Sequence, residues 1–579
     1  MSSTPVASIA PIETSKAEVA ASSNESKTSS DDLNKQRVKG PKLMILLSAL
    51  TLINFLALLD TSIIGTAIPY ITSEFHSLPD IGWYVGAYTL ATATLQPLAG
   101  KLYTYFPIKA VYLCFIFLFE LGSLICGVAP SSAALIAGRA IAGLGVSGLI
   151  MGAMTIISVS METAKSPMYL GIMLGISQTG VVAGPLVGGA LTEHVTWRWC
   201  FYLNLPVGGL AALLFTFIHI PDIAKKDPFS MALIRKVIPE LDLIGFSLFI
   251  PPAIMFLLAL QFGSGNTYAW NSATIIGLFV GAGVLAIIFI LWEHRMGDRA
   301  MLPGSLLKQR RIWVSCLYGT CNITCMIAAS NWIPTYFQAV KGNKPTLSGV
   351  HVLPSILSQL SFVIISGALV SKLGYYLPWA LASGMIMAVG NGLVSTFTAT
   401  TTVGQWIGFQ IVLGVGRGAG LQTAGSLTPR SNELPLISIQ NAVQPKQIPI
   451  AMAFLIFFQN LGTSIGIVIA NTIFAQTLSK TAPRYAPSVS AEDALDAGSG
   501  ADAVRALVAG HEDELSGVLR AYSEGLRNIF YFLVALSCIA VVASLGMGWV
   551  DVRKKKEEKF AGVNDDRGEL AEKQELAEA

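Results

Sequence analysis

Four ionisable residues stand inside runs that are otherwise long and apolar: Asp60, Glu120, Arg139 and Arg417. A charge near the middle of a bilayer costs about 2.5–3.5 kcal/mol on insertion scales, so each needs a compensating role. A carboxylate in such a place can take up and release a proton while a neighbouring guanidinium tunes its proton affinity. Alternatively, the arginine simply neutralises the acid and pins helices together. With a helix rise of about 1.5 Å per residue, Asp60, Glu120 and Arg139 each fall roughly 10–12 Å below the outer end of their runs. Equal depth allows one buried network, with Asp60 the better proton carrier, Arg139 its partner and Glu120 a second carboxylate. Arg417 lies deeper, toward the inner side, and is a candidate site in the second half of the chain.

A second pattern is steric. The run Gly180-Val-Val-Ala-Gly184-Pro185-Leu-Val-Gly188-Gly189 strips one helix face of side chains at a spacing of about four residues. Such a face serves either as a static packing seam or as a moving contact between two halves, and Pro185 bends the helix within it. The run Trp197-Arg198-Trp199 through Pro206 fits an interfacial aromatic belt. Trp83, Tyr84 and Tyr88 could line a ligand path or belong to the same belt.

Catalytic arrangements are missing from the sequence. Gly100-Lys101 lacks the upstream glycine and the following Ser or Thr of a phosphate-binding loop. No Ser-His-Asp set or His/Cys/carboxylate metal set can be assembled, and Cys321 and Cys325, four apart, read as packing residues. No enzyme activity, cofactor or nucleic-acid partner is implied; the expected partners are a small amphipathic organic molecule, protons and the lipid bilayer.

The elements that position these residues follow from composition. Of the 579 residues, 53% are hydrophobic and only 13% charged, against about 25% charged in soluble domains. The apolar residues collect in blocks long enough to cross a bilayer, which needs about 20 residues each. Spans are predicted near 44–67, 81–101, 109–129, 132–157, 168–192, 199–219, 241–262, 273–293, 312–339, 347–371, 377–397, 402–425, 448–475 and 528–549. The expected fold is therefore all-α and integral to the membrane, with about fourteen transmembrane helices arranged 6+2+6.

The corresponding domains are a cytosolic tail (1–42), a six-helix bundle (43–220) and a linker with two extra helices (221–311). A second six-helix bundle (312–550) with a long exterior loop (477–527) and a cytosolic tail (551–579) complete the chain. Lys and Arg gather in Lys225–Lys236, Arg295–Arg311 and the run Arg553-Lys554-Lys555-Lys556. The positive-inside rule then places both termini in the cytosol. The first forty or so residues carry no apolar stretch that would make a cleavable signal, so the first span is expected to act as the anchor.

Spans four and twelve each set one arginine in a glycine-rich helix: Gly138-Arg139 through Gly148, and Gly414-Val-Gly416-Arg417-Gly418-Ala-Gly420. This is the weak internal symmetry of repeat-built transporters. Leu59-Asp60-Thr61-Ser62-Ile63-Ile64-Gly65-Thr66-Ala67-Ile68-Pro69 resembles the span-one signature of fourteen-helix drug:proton antiporters of the major facilitator superfamily. Arg139 with Gly143 and Gly145 resembles the span-four motif of that family, and Gly180 to Gly189 its span-five antiporter motif. Gly100 to Lys109 departs from the general superfamily loop, in the manner of fungal toxin and multidrug efflux pumps. Ser426–Ile437 is a further departure.

The resemblance implies two halves that rock around a central cavity, proton entry against export of an amphipathic organic molecule, coupling through Asp60 and Arg139, and a glycine face on span five that packs against the other half. It also implies peripheral extra helices. Proton-driven uptake, for instance of an iron-siderophore chelate, and a non-transporting sensor are the competing readings. The plasma membrane is the expected address, with a vacuolar or vesicular membrane the alternative, and a monomer is the expected state.

Overall fold

The computed structural model describes residues 40–160, 166–218, 242–264, 268–297, 309–373, 377–420 and 448–547, together with residues 220, 300 and 375. The two tails, Lys225–Lys236 and Ser426–Ile437 lie outside the described residues. The first half comprises α1 (Pro41–Phe75), α2 (Ile81–Tyr105), α3 (Ile108–Val128), α4 (Ser132–Ser160), the broken pair α5 (Ser166–Ser177) and α6 (Thr179–His194), and the broken pair α7 (Trp199–Tyr202) and α8 (Asn204–Thr216). A hairpin of α9 (Leu243–Ser264) and α10 (Ala273–Met296) follows. The second half comprises α11 (Arg310–Thr335), α12 (Pro345–Leu373), α13 (Leu377–Val394), α14 (Val403–Gly420), α15 (Ile448–Tyr485) and α18 (Leu515–Leu545). Two short helices, α16 (Ala491–Asp496) and α17 (Ala501–Ala506), stand between α15 and α18.

Among the described residues, 12 helices are long and apolar enough to cross a membrane. The helices α2 and α14 occupy two of the expected spans but fall short of that hydropathy. Both carry polar residues on an apolar background: Thr89, Thr92, Thr94 and Gln96 in α2, and Gln405, Gln410 and Arg417 in α14. The long exterior loop expected at 477–527 is shorter in the structure. Helix α15 runs on to Tyr485 and α18 begins at Leu515, because polar helical turns continue past the apolar windows that a membrane imposes.

The packing repeats between halves. Helix α4 packs on α2 and α3 as α14 packs on α12 and α13, and α1 packs on α6 and α8 as α11 packs on α15 and α18. Glycine permits the closest approaches. A Cβ on Gly122 would lie 2.2 Å from the Ala142 nitrogen, and one on Gly416 2.5 Å from the Met387 nitrogen. The halves meet where α1 crosses α11, at Gly65 against the Ser330 carbonyl. Pro69 and Pro334, each four residues further on, lack the N–H that would bond these two carbonyls, so each helix is opened at the crossing. Beyond Pro334, α11 continues as one π-helical turn, Tyr336–Val340, which turns Gln338 to donate to the Thr66 carbonyl at 3.0 Å.

The end of the bundle away from the start of α1 and the end of α18 is hereafter the distal end. There Ser464 donates to the Gly86 carbonyl, Asn471 to the Pro79 carbonyl, and the Thr346 amide to Glu193, with Lys344 3.5 Å from the same carboxylate. The segment between α15 and α18 also lies across α1, where the Gly500 amide donates to Ser73. These bonds join the two halves and close the distal end. The hairpin is peripheral: 11% of the apolar window of α10 is buried, against 61% for α11. Between the hairpin, α11 and α15 runs an apolar groove of about 1130 Å³, lined by Phe249, Phe256, Phe289, Trp313 and Phe457.

Candidate functional site

Asp60 and Arg139 are both 1% exposed and form an ion pair, Nη1 to Oδ2, at 2.6 Å. Local packing explains how an arginine reaches that place. One turn beyond Arg139, Gly143 lets α4 press onto α2 so closely that a Cβ there would lie 2.3 Å from the Tyr88 carbonyl. Thr92 on α2 completes the contact by donating to the Gly143 carbonyl at 3.0 Å. The guanidinium then donates from Nε to the Tyr84 carbonyl at 2.9 Å and lies 4.2 Å from the Tyr88 ring centre and 5.9 Å from that of Phe201. Aromatic faces stabilise a cation that water cannot reach.

Asp60 receives a second donor, the Asn204 amide, at 3.4 Å, and Asn204 also donates to Ser123 at 3.0 Å. The break between α7 and α8 at Leu203 brings Asn204 to this position. An ion pair held in this way is strongly directional, and removing either partner leaves the other charge buried. Among the described residues, the Arg139 Nη2 and the Tyr88 hydroxyl have no hydrogen-bond partner.

Glu120 is an electrostatic neighbour of Asp60 but makes no hydrogen bond to the pair. Its carboxylate lies between α3 and α8 against Gly208, which has no room for a Cβ beside Oε1, and among the described residues neither oxygen has a hydrogen-bond partner. Equal depth put three charges on one level, but the rotation of α3 points Glu120 at α8 instead of at α4.

The span-five glycines divide between two neighbours. Gly180 lies against the Phe55 carbonyl, Gly184 against Ser62 and Gly188 against the Ile63 carbonyl, all on α1 of the same half. Gly189 lies against the Pro345 carbonyl, and the Pro185 carbonyl against Gly349, both on α12 of the other half. Pro185 frees the Val181 carbonyl, and Ser62 donates to that carbonyl at 2.8 Å. The bend therefore has a specific partner on α1.

Arg417 is also 1% exposed. Its Nη1 donates to the Met326 carbonyl on α11 at 3.2 Å, and among the described residues its Nε and Nη2 have no hydrogen-bond partner.

Three comparisons with known proteins bear on this architecture. The model of the Major Facilitator Superfamily matches residues 50–467. The chain belongs to the Major Facilitator Superfamily. The MFS-type transporter calB of Penicillium decumbens is 53% identical over 524 residues, 90% of this chain and 91% of that protein. The efflux pump mlcE of Penicillium citrinum is 44% identical, covering 92% and 94% of the two chains. Among solved structures, the chain resembles a bacterial homologue of the human lysosomal transporter Spinster in an inward-facing, unoccupied conformation. That match has a TM-score of 0.60 and 14% identity, over 88% of this chain and 98% of the other, and bears on the fold alone. As a member of this superfamily the protein is a multi-pass membrane transporter of small organic molecules, not an enzyme.

Several parts of the site in this superfamily member escape a reading of types and spacing. Asn204 and Phe201 fall within a run that reads as an interfacial belt. Tyr88 and Tyr84 are both buried, one stacked on Arg139 and the other bonded through its hydroxyl to Ser77 and Ser132. Glu74 receives Trp197 Nε1 at 2.5 Å and Arg198 at 2.9 Å, so this part of the belt is also a fastening to α1. A lone polar residue in an apolar run, such as Asn204, is the signal that could have pointed to it.

Proposed function

We propose that the protein is a proton-coupled antiporter that exports amphipathic small organic molecules, such as a secondary metabolite, toxin or drug, across the plasma membrane, with both termini in the cytosol. The observation that carries this reading is the sealed Asp60–Arg139 pair on the first and fourth helices of one half. Protonating Asp60 removes its charge, releases Arg139, and so loosens α1 from α4 in step with a proton taken up. Deprotonation re-forms the pair. Binding and release of one proton thereby become a difference in packing between two states, which is what coupling requires. Glu120, poised without a partner near the same helices, is a second acceptor on the route.

The distal contacts are the gate of the outward face in this reading, and the Gly189–Pro345 and Pro185–Gly349 contacts belong to it. The protein works as a monomer. Efflux pumps among the relatives, such as mlcE and mokI, support export over uptake.

The test is reconstitution of the full chain in liposomes under an imposed pH gradient, with internal pH and a panel of fluorescent amphipathic compounds followed together. Compounds should move against the proton flow, and Asp60→Asn should abolish that coupling. Movement with the proton flow would make the protein an uptake permease, and unchanged coupling in Asp60→Asn would remove Asp60 from the mechanism.

A further inference from the structure

We propose that Arg417 anchors the carboxylate of an exported organic anion, a site in the second half that complements the proposed proton site in the first. The inference rests on the export reading and names a class of substrate for it.

The guanidinium of Arg417 is fully buried and spends one donor, Nη1, on the Met326 carbonyl. The two donors without partners, Nε and Nη2, are those that lie along one edge of the planar group. That edge presents two parallel N–H bonds, the fork that a carboxylate accepts with both oxygens. A carboxylate offers one oxygen to each donor, whereas a hydroxyl or a single carbonyl must share one uncharged oxygen between them.

The missing counter-ion is the second argument. In the first half, Asp60 stands nine residues before the proline of the α1–α11 crossing; nine residues before Pro334 on α11 stands Cys325. Cys325 is an electrostatic neighbour of Arg417, but its thiol is engaged with the Leu533 carbonyl and Ser537 on α18. Among the described residues, the second half therefore holds the arginine without the acid. A buried cation without a counter-charge is costly, and the cost is offset when the anion arrives with the ligand.

Location is the third argument. Met326 lies one helical turn from Ser330, the residue at which α11 crosses α1, so the fork stands beside the boundary between halves that alternating access must open. One turn along α14, a Cβ on Gly420 would meet Ser383 Oγ at 2.2 Å, Asn322 Nδ2 at 2.3 Å and the Tyr318 hydroxyl at 2.6 Å. Polar side chains of α11 and α13 therefore gather one turn from the fork, where Ser383 donates to the Gly416 carbonyl.

The experiment compares pyrenebutyrate with its uncharged methyl ester on the purified full chain, by equilibrium dialysis and by movement in proton-loaded liposomes. The wild type should bind the acid about tenfold or more tightly than the ester. Arg417→Gln should bring that ratio close to one, and Arg417→Lys should restore part of it. Pyrenebutyrate should also raise the Tm of the wild type and not that of Arg417→Gln.

Equal binding of acid and ester by the wild type overturns the proposal without any variant having to fold, and so does an acid preference that survives in Arg417→Gln. Proton-driven export of the ester together with no acid preference would retain the antiport reading and remove this site. Acid preference in binding with no proton-driven movement of either compound would retain the site and remove the antiport reading.

Discussion

The two halves of this transporter solve the same packing problem and treat charge in opposite ways. In each, the fourth helix sends one buried arginine to the first helix of its own half. Arg139 meets a carboxylate there, an aromatic ring above it and a main-chain acceptor beside it. Among the described residues, Arg417 meets one main-chain carbonyl and nothing charged, with two donors left over. Repetition of a fold therefore repeats helix contacts without repeating the electrostatics placed on them. The first half pairs its arginine with an acid of its own; among the described residues the second leaves two buried donors open, the place that the proposed anion would fill.

The largest effect should come from cutting the closed pair. Arg139→Gln leaves Asp60 buried without its cation and should destabilise the protein by about 3–5 kcal/mol, whereas Arg417→Gln should lower the Tm little or raise it. Thermal unfolding in detergent of the two variants side by side checks this, and equal losses would erase the contrast between the halves.

A smaller effect should follow from building the missing acid. Cys325→Asp should give Arg417 an internal counter-ion, raise the Tm, and reduce the preference for pyrenebutyrate over its ester by about tenfold. If the preference is untouched, Cys325 does not hold the place that Asp60 holds.

The smallest effect concerns how far the polar design of the first half extends toward its distal end. Asp80, outside the spanning helices, accepts hydrogen bonds from Ser132 and from Gln261 on the hairpin. Burial holds its carboxyl above the usual range, and these two bonds partly oppose that shift. A raised acid binds its proton more tightly in the fold than in the unfolded chain. Its stabilising contribution is complete below the ordinary carboxylate range and is lost as pH rises through the folded value. Unfolding followed from about pH 4 upward should show this decline in the wild type and a flatter profile in Asp80→Asn. An identical slope in both would assign the pH dependence elsewhere.

Much of the architecture was legible before any coordinates. The apolar blocks fall on helices at each expected span, because a bilayer forces backbone polar groups to bond within a helix and so writes span positions into composition. The ends were less legible: the outer turns of α15 and α18 carry Lys480, Arg484, Glu524 and Arg527, which a hydropathy window reads as loop although the helices continue through them. Depth was a good guide to the site and an incomplete one. It placed Asp60, Glu120 and Arg139 on one level, but contact also depends on how each helix is turned about its axis.

Glycine spacing marked a bare face on span five without saying what would cover it, and the face is shared between α1 and α12. The identities of the buried charges, the glycines that admit close helices and the prolines that open α1 and α11 are fixed by the sequence, since each follows from the chemistry of a single residue. Which charges meet was decided by tertiary structure alone. The Asp60–Arg139 pair, the turning of Glu120 toward α8 and the open fork of Arg417 depend on helix rotation and crossing, which are set by the packing of every side chain between the helices at once.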